Sequence, residues 1–164
     1  MSERWVPCFS CGALVPDIEG PTHRYLLSLH GCWAAYGEIL ARDYSEFNYP
    51  PVHRLVVDAY AVQHPGKPMR QAIQSVAVHL IGLYLSLEKG LDAKKVTQAI
   101  GRATQFSEGF VWLDPPANMG SITVADVVRT RTLEEYDCLG RDWAKSAWDA
   151  WGMHHALIRK WSQL

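Results

Sequence analysis

The sequence predicts an all-α protein, a single-domain helical bundle of about five or six helices with an irregular, zinc-knuckle-like N-terminal arm. Three observations predict it. After residue 22, apolar residues recur at spacings of three and four along most of the chain, the period of helices with one buried face. The stretch from Gln71 to Leu87 contains no Asp, Glu, Lys or Arg, which marks a helix surrounded by protein. Residues 1–21 instead hold Pro7, Pro16, Pro21, Gly12 and Gly20 beside two cysteines, a composition that cannot sustain a helix. With 164 residues and 48% apolar content, the chain can bury one substantial core but is short for two. The expected division is therefore an arm at 1–21 and a bundle at 22–164.

The elements follow in order. From Thr22 to Tyr44 the positions Leu26, Leu29, Trp33, Tyr36, Leu40 and Tyr44 give a helical stripe, with Gly31 and Gly37 as weak points. Asn48-Tyr49-Pro50-Pro51 marks a turn, and Pro51 suits the first position of a helix running through Gln63. His64-Pro65-Gly66-Lys67-Pro68 stops that helix, and Pro68 can start the central one. In the central helix Met69, Ile73, Val76, Ala77, Leu80, Leu83, Tyr84 and Leu87 form a broad apolar face, while Val78, Ile81 and Leu85 cover the other side. Gly90 fits a C-terminal cap, and Asp92 fits the N-cap of a helix from Ala93 to about Thr104. Residues 105–120, with Phe106, Phe110 and Trp112, read as an ordered aromatic loop and a candidate lid. Thr123 caps a short helix. Thr132 and Glu135 form a capping box for a final helix reaching about Trp161. Its stripe includes Trp143, His154 and Trp161, and its tryptophans are core residues before they are a ligand cage.

Charge and hydropathy exclude several classes of function. The net charge is −1 and the 16 basic residues are scattered, so the clustered cations that neutralise phosphates are missing and nucleic acid is not an expected partner. No apolar window reaches membrane-spanning length, and the start MSERWVPCFSCG has no signal-like apolar region, so a cytoplasmic protein is expected. In that compartment the four cysteines are thiols or metal ligands rather than disulfides. Cys138, alone on a helical segment, reads as a small buried apolar residue.

Cys8-Phe-Ser-Cys11-Gly12 has the form of a zinc knuckle: two thiolates two residues apart share one tetrahedral ion. Two further ligands are required. The favoured set is Cys8, Cys11, His23 and Cys32, with His30, Asp17 and Glu19 as alternatives for the missing donors. His23 and Cys32 are half a turn out of phase on a continuous helix, so this set needs a break near His30-Gly31. Free thiols without a metal are the bland alternative. A thioredoxin-like pair is disfavoured, since no βαβ pattern accompanies the motif.

A second group consists of Asp58, His64 and His79. Asp58 lies on the otherwise apolar VHRLVVDAYAVQHP, near its buried side, where a carboxylate needs a histidine, an arginine or a metal. His64 ends that helix and His79 edges the central one. Together they are candidate catalytic residues, a carboxylate orienting an imidazole for acid–base work. The competing reading makes each a hydrogen-bonded core residue. His53, His154, Tyr60 and Gln63 are secondary candidates for the same pocket.

The segments CFSCGALVPDIEGPTHRY, GCWAAYGEILARDY, VHRLVVDAYAVQHPG, RQAIQSVAVHLIGLYL and WAKSAWDAWGMHH together resemble a family of short bacterial proteins of unknown function that open with CxxCG and carry DAYxVQHPG. The resemblance implies no reaction. Two functions are therefore carried forward. One is a small zinc-dependent enzyme performing hydrolysis or group transfer on a small-molecule substrate. The other is a zinc-stabilised module for protein interaction or homodimerisation through the terminal helix.

Overall fold

In the computed structural model, which describes residues 2–163, the arm folds as a β-hairpin rather than an irregular loop. Strands β1 (Trp5–Pro7) and β2 (Leu14–Pro16) pair antiparallel, Val6 opposite Val15. Three residues per strand are too few to show an alternating pattern, and prolines at strand ends cost no ladder bond. The Cys8–Ala13 turn closes with Cys8 N–H donating to the Ala13 carbonyl at 2.8 Å and Gly12 N–H donating to the Cys8 carbonyl at 2.9 Å. Gly12 sits at φ +80°, where a side chain is disfavoured.

The expected helix 22–44 begins only at His30, as α1 (His30–Tyr44). The His23 Nδ1 accepts the backbone N–H groups of Tyr25 and Leu26 at 3.2 and 3.1 Å, a local turn that competes with helix formation. Helices α2 (His53–Val62), α3 (Arg70–Leu87) and α4 (Ala93–Ala103) follow their expected positions closely. Asp92 caps α4 by accepting the Lys95 N–H at 2.9 Å. A short helix α5 (Val124–Val127) and the long α6 (Leu133–Ala150) both start with complete capping boxes, at Thr123/Asp126 and Thr132/Glu135. The final helix is not continuous: it breaks at Trp151 and resumes as α7 (His155–Trp161) after a 3-10 turn. Trp151 is fully buried and its indole N–H donates to the Val62 carbonyl at 3.2 Å, an anchorage that holds it outside helical geometry.

The predominantly helical fold agrees with the expectation; the described residues form seven α-helices and one small sheet. Helix α3 is the central helix, as expected, buried around most of its circumference against α2, α4, α6 and α7; α2, packed between α3 and α6, is itself buried at seven of its ten residues. The sequence hides this because α2 carries His53, Arg54 and Asp58, whose polarity is matched inside the bundle. The core runs from Trp143, Trp148 and Trp151 through Tyr60 into Cys8, Ala13 and Val15, so the hairpin is part of the core. Burying Val15 alone stabilises this attachment by about 1.5–3 kcal/mol. Cys138, by contrast, is exposed on α6, because Tyr136 and Gly140 take the inward face. No helix is long and apolar enough to cross a membrane.

Candidate metal centre

Four side chains from three places in the chain converge beneath the hairpin. Cys8 and Cys11 come from its turn, Cys32 from the first turn of α1, and His64 from just past the end of α2. Their ligand atoms all lie within 4.8 Å of one another, and the residues are between 0% and 8% exposed. Cys11 Sγ is 3.8 Å from Cys32 Sγ, and His64 Nε2 is 3.3 Å from Cys32 Sγ and 3.9 Å from Cys8 Sγ.

These spacings can be tested against coordination geometry. Zinc–sulfur bonds of about 2.3 Å and zinc–nitrogen bonds of about 2.0–2.1 Å at tetrahedral angles put neighbouring sulfurs ~3.8 Å apart and sulfur ~3.6 Å from nitrogen. The observed edges bracket those values. The imidazole is also correctly set. Its Nδ1 is 2.7 Å from the Tyr60 carbonyl oxygen, which can only accept, so Nδ1 carries the proton and Nε2 faces the sulfurs with its lone pair. The ring stacks on Tyr60 at 4.0 Å, and Tyr60 stacks in turn on Tyr36 at 3.9 Å, fixing the imidazole plane. The Tyr60 hydroxyl lies 3.5 Å from Cys32 Sγ, placed to donate to a thiolate.

The α2 terminus is built around this centre. Carbonyls left free at a helix end need partners when buried. Here Tyr60 receives the His64 side chain, Val62 receives Trp151, and Gln63 receives the Ser10 hydroxyl at 2.8 Å. The Gln63 side chain donates to the Met119 and Ile122 carbonyls and accepts from the Trp143 indole at 2.9 Å, tying the following loop and α6 to the same point. Electrostatically the sulfurs conflict when left to themselves. Hydrogen bonds from Cys11 and Cys32 hold Cys8 far below the usual thiol range, while those same contacts with Cys11 and Cys8 push Cys32 far above it. A divalent cation removes the conflict by allowing all three to ionise. The four residues can therefore hold a metal ion.

His23 is not among them. It lies on the loop before α1, edge-on to Tyr25 and against Trp33, and its Nδ1 is engaged by backbone. Burial lowers its pKa, followed by the nearby Arg24 charge, as expected of a neutral hydrogen-bond acceptor. His64 takes the place that the sequence reading gave to His23, and thereby leaves the expected catalytic group.

The other two members of that group do meet. The His79 Nδ1 donates to Asp58 Oδ1 at 2.7 Å, and the Arg54 Nε donates to Asp58 Oδ2 at 3.1 Å. Asp58 is fully buried, whereas the His79 and Arg54 side chains are about one-fifth exposed. Gly82 makes room for this: a Cβ there would lie 2.5 Å from Asp58 Oδ2. His79 lines a pocket of about 200 Å³ with Tyr25, Gln71, Gln74, Ser75 and Val78.

The model of a family of unknown function, DUF5946, matches residues 6–152. The chain belongs to that family. The expectation of a family without an established activity is thus met, and the DUF5946 match spans all four members of the centre. No curated protein and no solved structure matches the DUF5946 chain.

Two features of this DUF5946 protein escape sequence reading. One is the convergence of His64 with the three cysteines, 56 residues from Cys8 and beyond any local spacing rule. The other is a second buried carboxylate, Asp43, whose Oδ2 accepts from His53 Nδ1 at 2.7 Å and from the Tyr136 hydroxyl at 2.9 Å. The available signal was weak: Asp43 lies one turn from Ile39 on the buried stripe of α1. His154 and His155 turn out to bond the Asp114 and Trp148 carbonyls, away from the centre.

Proposed function

We propose that the Cys8/Cys11/Cys32/His64 centre is a structural zinc site that fastens the N-terminal hairpin to a helical domain. The observation that carries this reading is the closed donor set. Four protein ligands, none more than 8% exposed, fill a tetrahedral ion and leave no position for water or substrate. Three thiolates with one imidazole favour zinc over magnesium or calcium, which prefer oxygen. Elemental analysis of purified protein, with chelation followed by circular dichroism and limited proteolysis, tests it. One zinc per chain is expected, and its removal loosens the hairpin before the bundle. A metal content unchanged by Cys8→Ser and His64→Ala together overturns the reading.

A second reading is supported by the Asp58–His79 hydrogen bond. It makes the protein a small-molecule enzyme for hydrolysis or group transfer, whose acid–base residue is His79, oriented by Asp58. The zinc then holds the scaffold and takes no part in the reaction. His79→Gln is expected to leave the metal content intact while abolishing turnover.

A further inference from the structure

The pocket beside His79 holds a polar group with no structural task. Ser75 is 7% exposed, and its Oγ is buried with no hydrogen-bond partner, one of only two such side-chain atoms among the described residues. Serine inside a helix ordinarily bonds the carbonyl one turn back or faces water. An unsatisfied buried hydroxyl costs about 1–3 kcal/mol, so its retention calls for a reason.

Ser75 precedes His79 by one helical turn, so both side chains project from the same face of α3 and both line the same pocket. The His79 Nδ1 is engaged by Asp58, and its Nε2 has no protein partner among the described residues. Arg54 holds Asp58 from its other side, so the carboxylate stays fixed. Gln71 and Gln74, one turn and one residue before Ser75, add side-chain amide donors to the rim. A hydroxyl, an imidazole with a free Nε2 and a buried carboxylate bound to its Nδ1 are the parts of an acyl-transfer site, recognised by their roles and not by their order in the chain.

Resting on the second reading above, we infer that Ser75 is the nucleophile of an acyl-ester hydrolase site in which His79 is the general base and Asp58 the positioning residue. The Ser75 Oγ adds to the carbonyl carbon of a small ester and its proton passes to His79 Nε2. The carbonyl π pair moves to oxygen, where the Gln71 or Gln74 amide can donate. Collapse breaks the bond to the alcohol, which departs with the proton from His79 and leaves an ester on Ser75. Water then gives its proton to His79, attacks that ester and releases the acid, and the proton returns to Ser75. Net, ester and water become acid and alcohol. Ser75 and His79 are not hydrogen-bonded to each other in the resting structure, so the reaction requires Ser75 to turn about χ1 toward Nε2 when substrate is present. The volume of about 200 Å³ suits a short acyl chain.

The test treats metal-loaded full-length protein with p-nitrophenyl acetate and, separately, with diisopropyl fluorophosphate, followed by peptide mass spectrometry. A single phosphoryl adduct on Ser75 and ester turnover are expected. Ser75→Ala should abolish both, and His79→Gln should reduce labelling and turnover by about 10³-fold or more. Asp58→Asn should lower turnover and change its pH profile, with metal content and helical signal confirming the fold. Ser75→Cys should transfer reactivity to iodoacetamide, which covers the case in which Ser75→Ala perturbs packing. Turnover lost in His79→Gln but kept in Ser75→Ala overturns the nucleophile and leaves the acid–base reading standing. Turnover kept in both, or no adduct and no turnover in the unmodified protein, overturns both.

Discussion

Replacing His64 by alanine separates the centre described here from the one the N-terminal sequence suggests. His64 is wholly buried, and its truncation opens a cavity whose cost, by analogy with other large-to-small core changes, is about 2–5 kcal/mol. It also strips the Tyr60 carbonyl of its donor, adding about 1–3 kcal/mol for an unpaired buried acceptor. Their sum, ~3–8 kcal/mol, is comparable with the whole stability of a domain, about 5–15 kcal/mol, before any loss of metal affinity is counted. His23→Ala removes only a local acceptor for two backbone N–H groups on a half-buried loop, a loss of about 1–2 kcal/mol. Cobalt substitution is the appropriate assay, since the ligand-field spectrum reports tetrahedral coordination and sulfur donors directly. The His23→Ala protein should bind one cobalt with an unaltered spectrum, while His64→Ala should bind weakly, with lost tetrahedral bands and a collapsed melting temperature. A changed spectrum in His23→Ala alongside a normal one in His64→Ala would refute the assignment.

Other perturbations have equally direct outcomes. Gly31→Ala places a methyl against the Pro16 carbonyl where α1 meets the hairpin, and should cost about 1–3 kcal/mol while exposing the arm to proteolysis, read from N-terminal cleavage rates. Gly82→Ala drives a methyl into the Asp58–Arg54 pair and should cost a similar amount in urea denaturation without altering metal content. Alkali should destabilise the fold: burial raises the Tyr36 and Tyr136 phenols, the latter also bonded to Asp43, so the native state keeps protons that the unfolded chain loses above about pH 10. Stability attached to these two groups is complete below that pH and falls above it by ~2.7 kcal/mol per pH unit. Tyr136→Phe should reduce the alkaline slope by about 1.4 kcal/mol per pH unit, as measured by denaturant midpoints from pH 9 to 11.

Helices α2, α3 and α4 were legible in the sequence because their periodicity, proline starts and caps are local signals. The Thr123 cap and the Thr132/Glu135 capping box were legible for the same reason, whereas the Asp126 half of the first box was not read. What failed were features decided by distant contacts. The break at Trp151 comes from its indole bonding the end of α2, 89 residues away. The delayed start of α1 depends on His23 engaging backbone when it could have continued the helix. In the centre, three of the four residues were readable because cysteines are scarce and clustered, but choosing among the histidines required knowing which helix end the hairpin covers. His64 was singled out for its position at a helix terminus, yet joined to Asp58 because the sequence puts the two in one continuous segment. Asp58 lies inside α2 and meets His79 of α3, whereas His64 lies past the end of α2 and faces the sulfurs.

Gln63, beside His64 of the centre, has a further consequence for how the molecule is made. Its amide gathers the loop at Met119 and Ile122 and the Trp143 indole into the junction that the Ser10 hydroxyl also reaches. Emerging from the ribosome, the first three sulfurs precede their nitrogen partner by a long interval, and Gln63 must wait longer still for Trp143. The hairpin therefore cannot seat finally until most of the chain has been synthesised, and loop-closure entropy opposes its early capture. Seating of the hairpin on the tryptophan-rich interior is by this geometry a late event in folding.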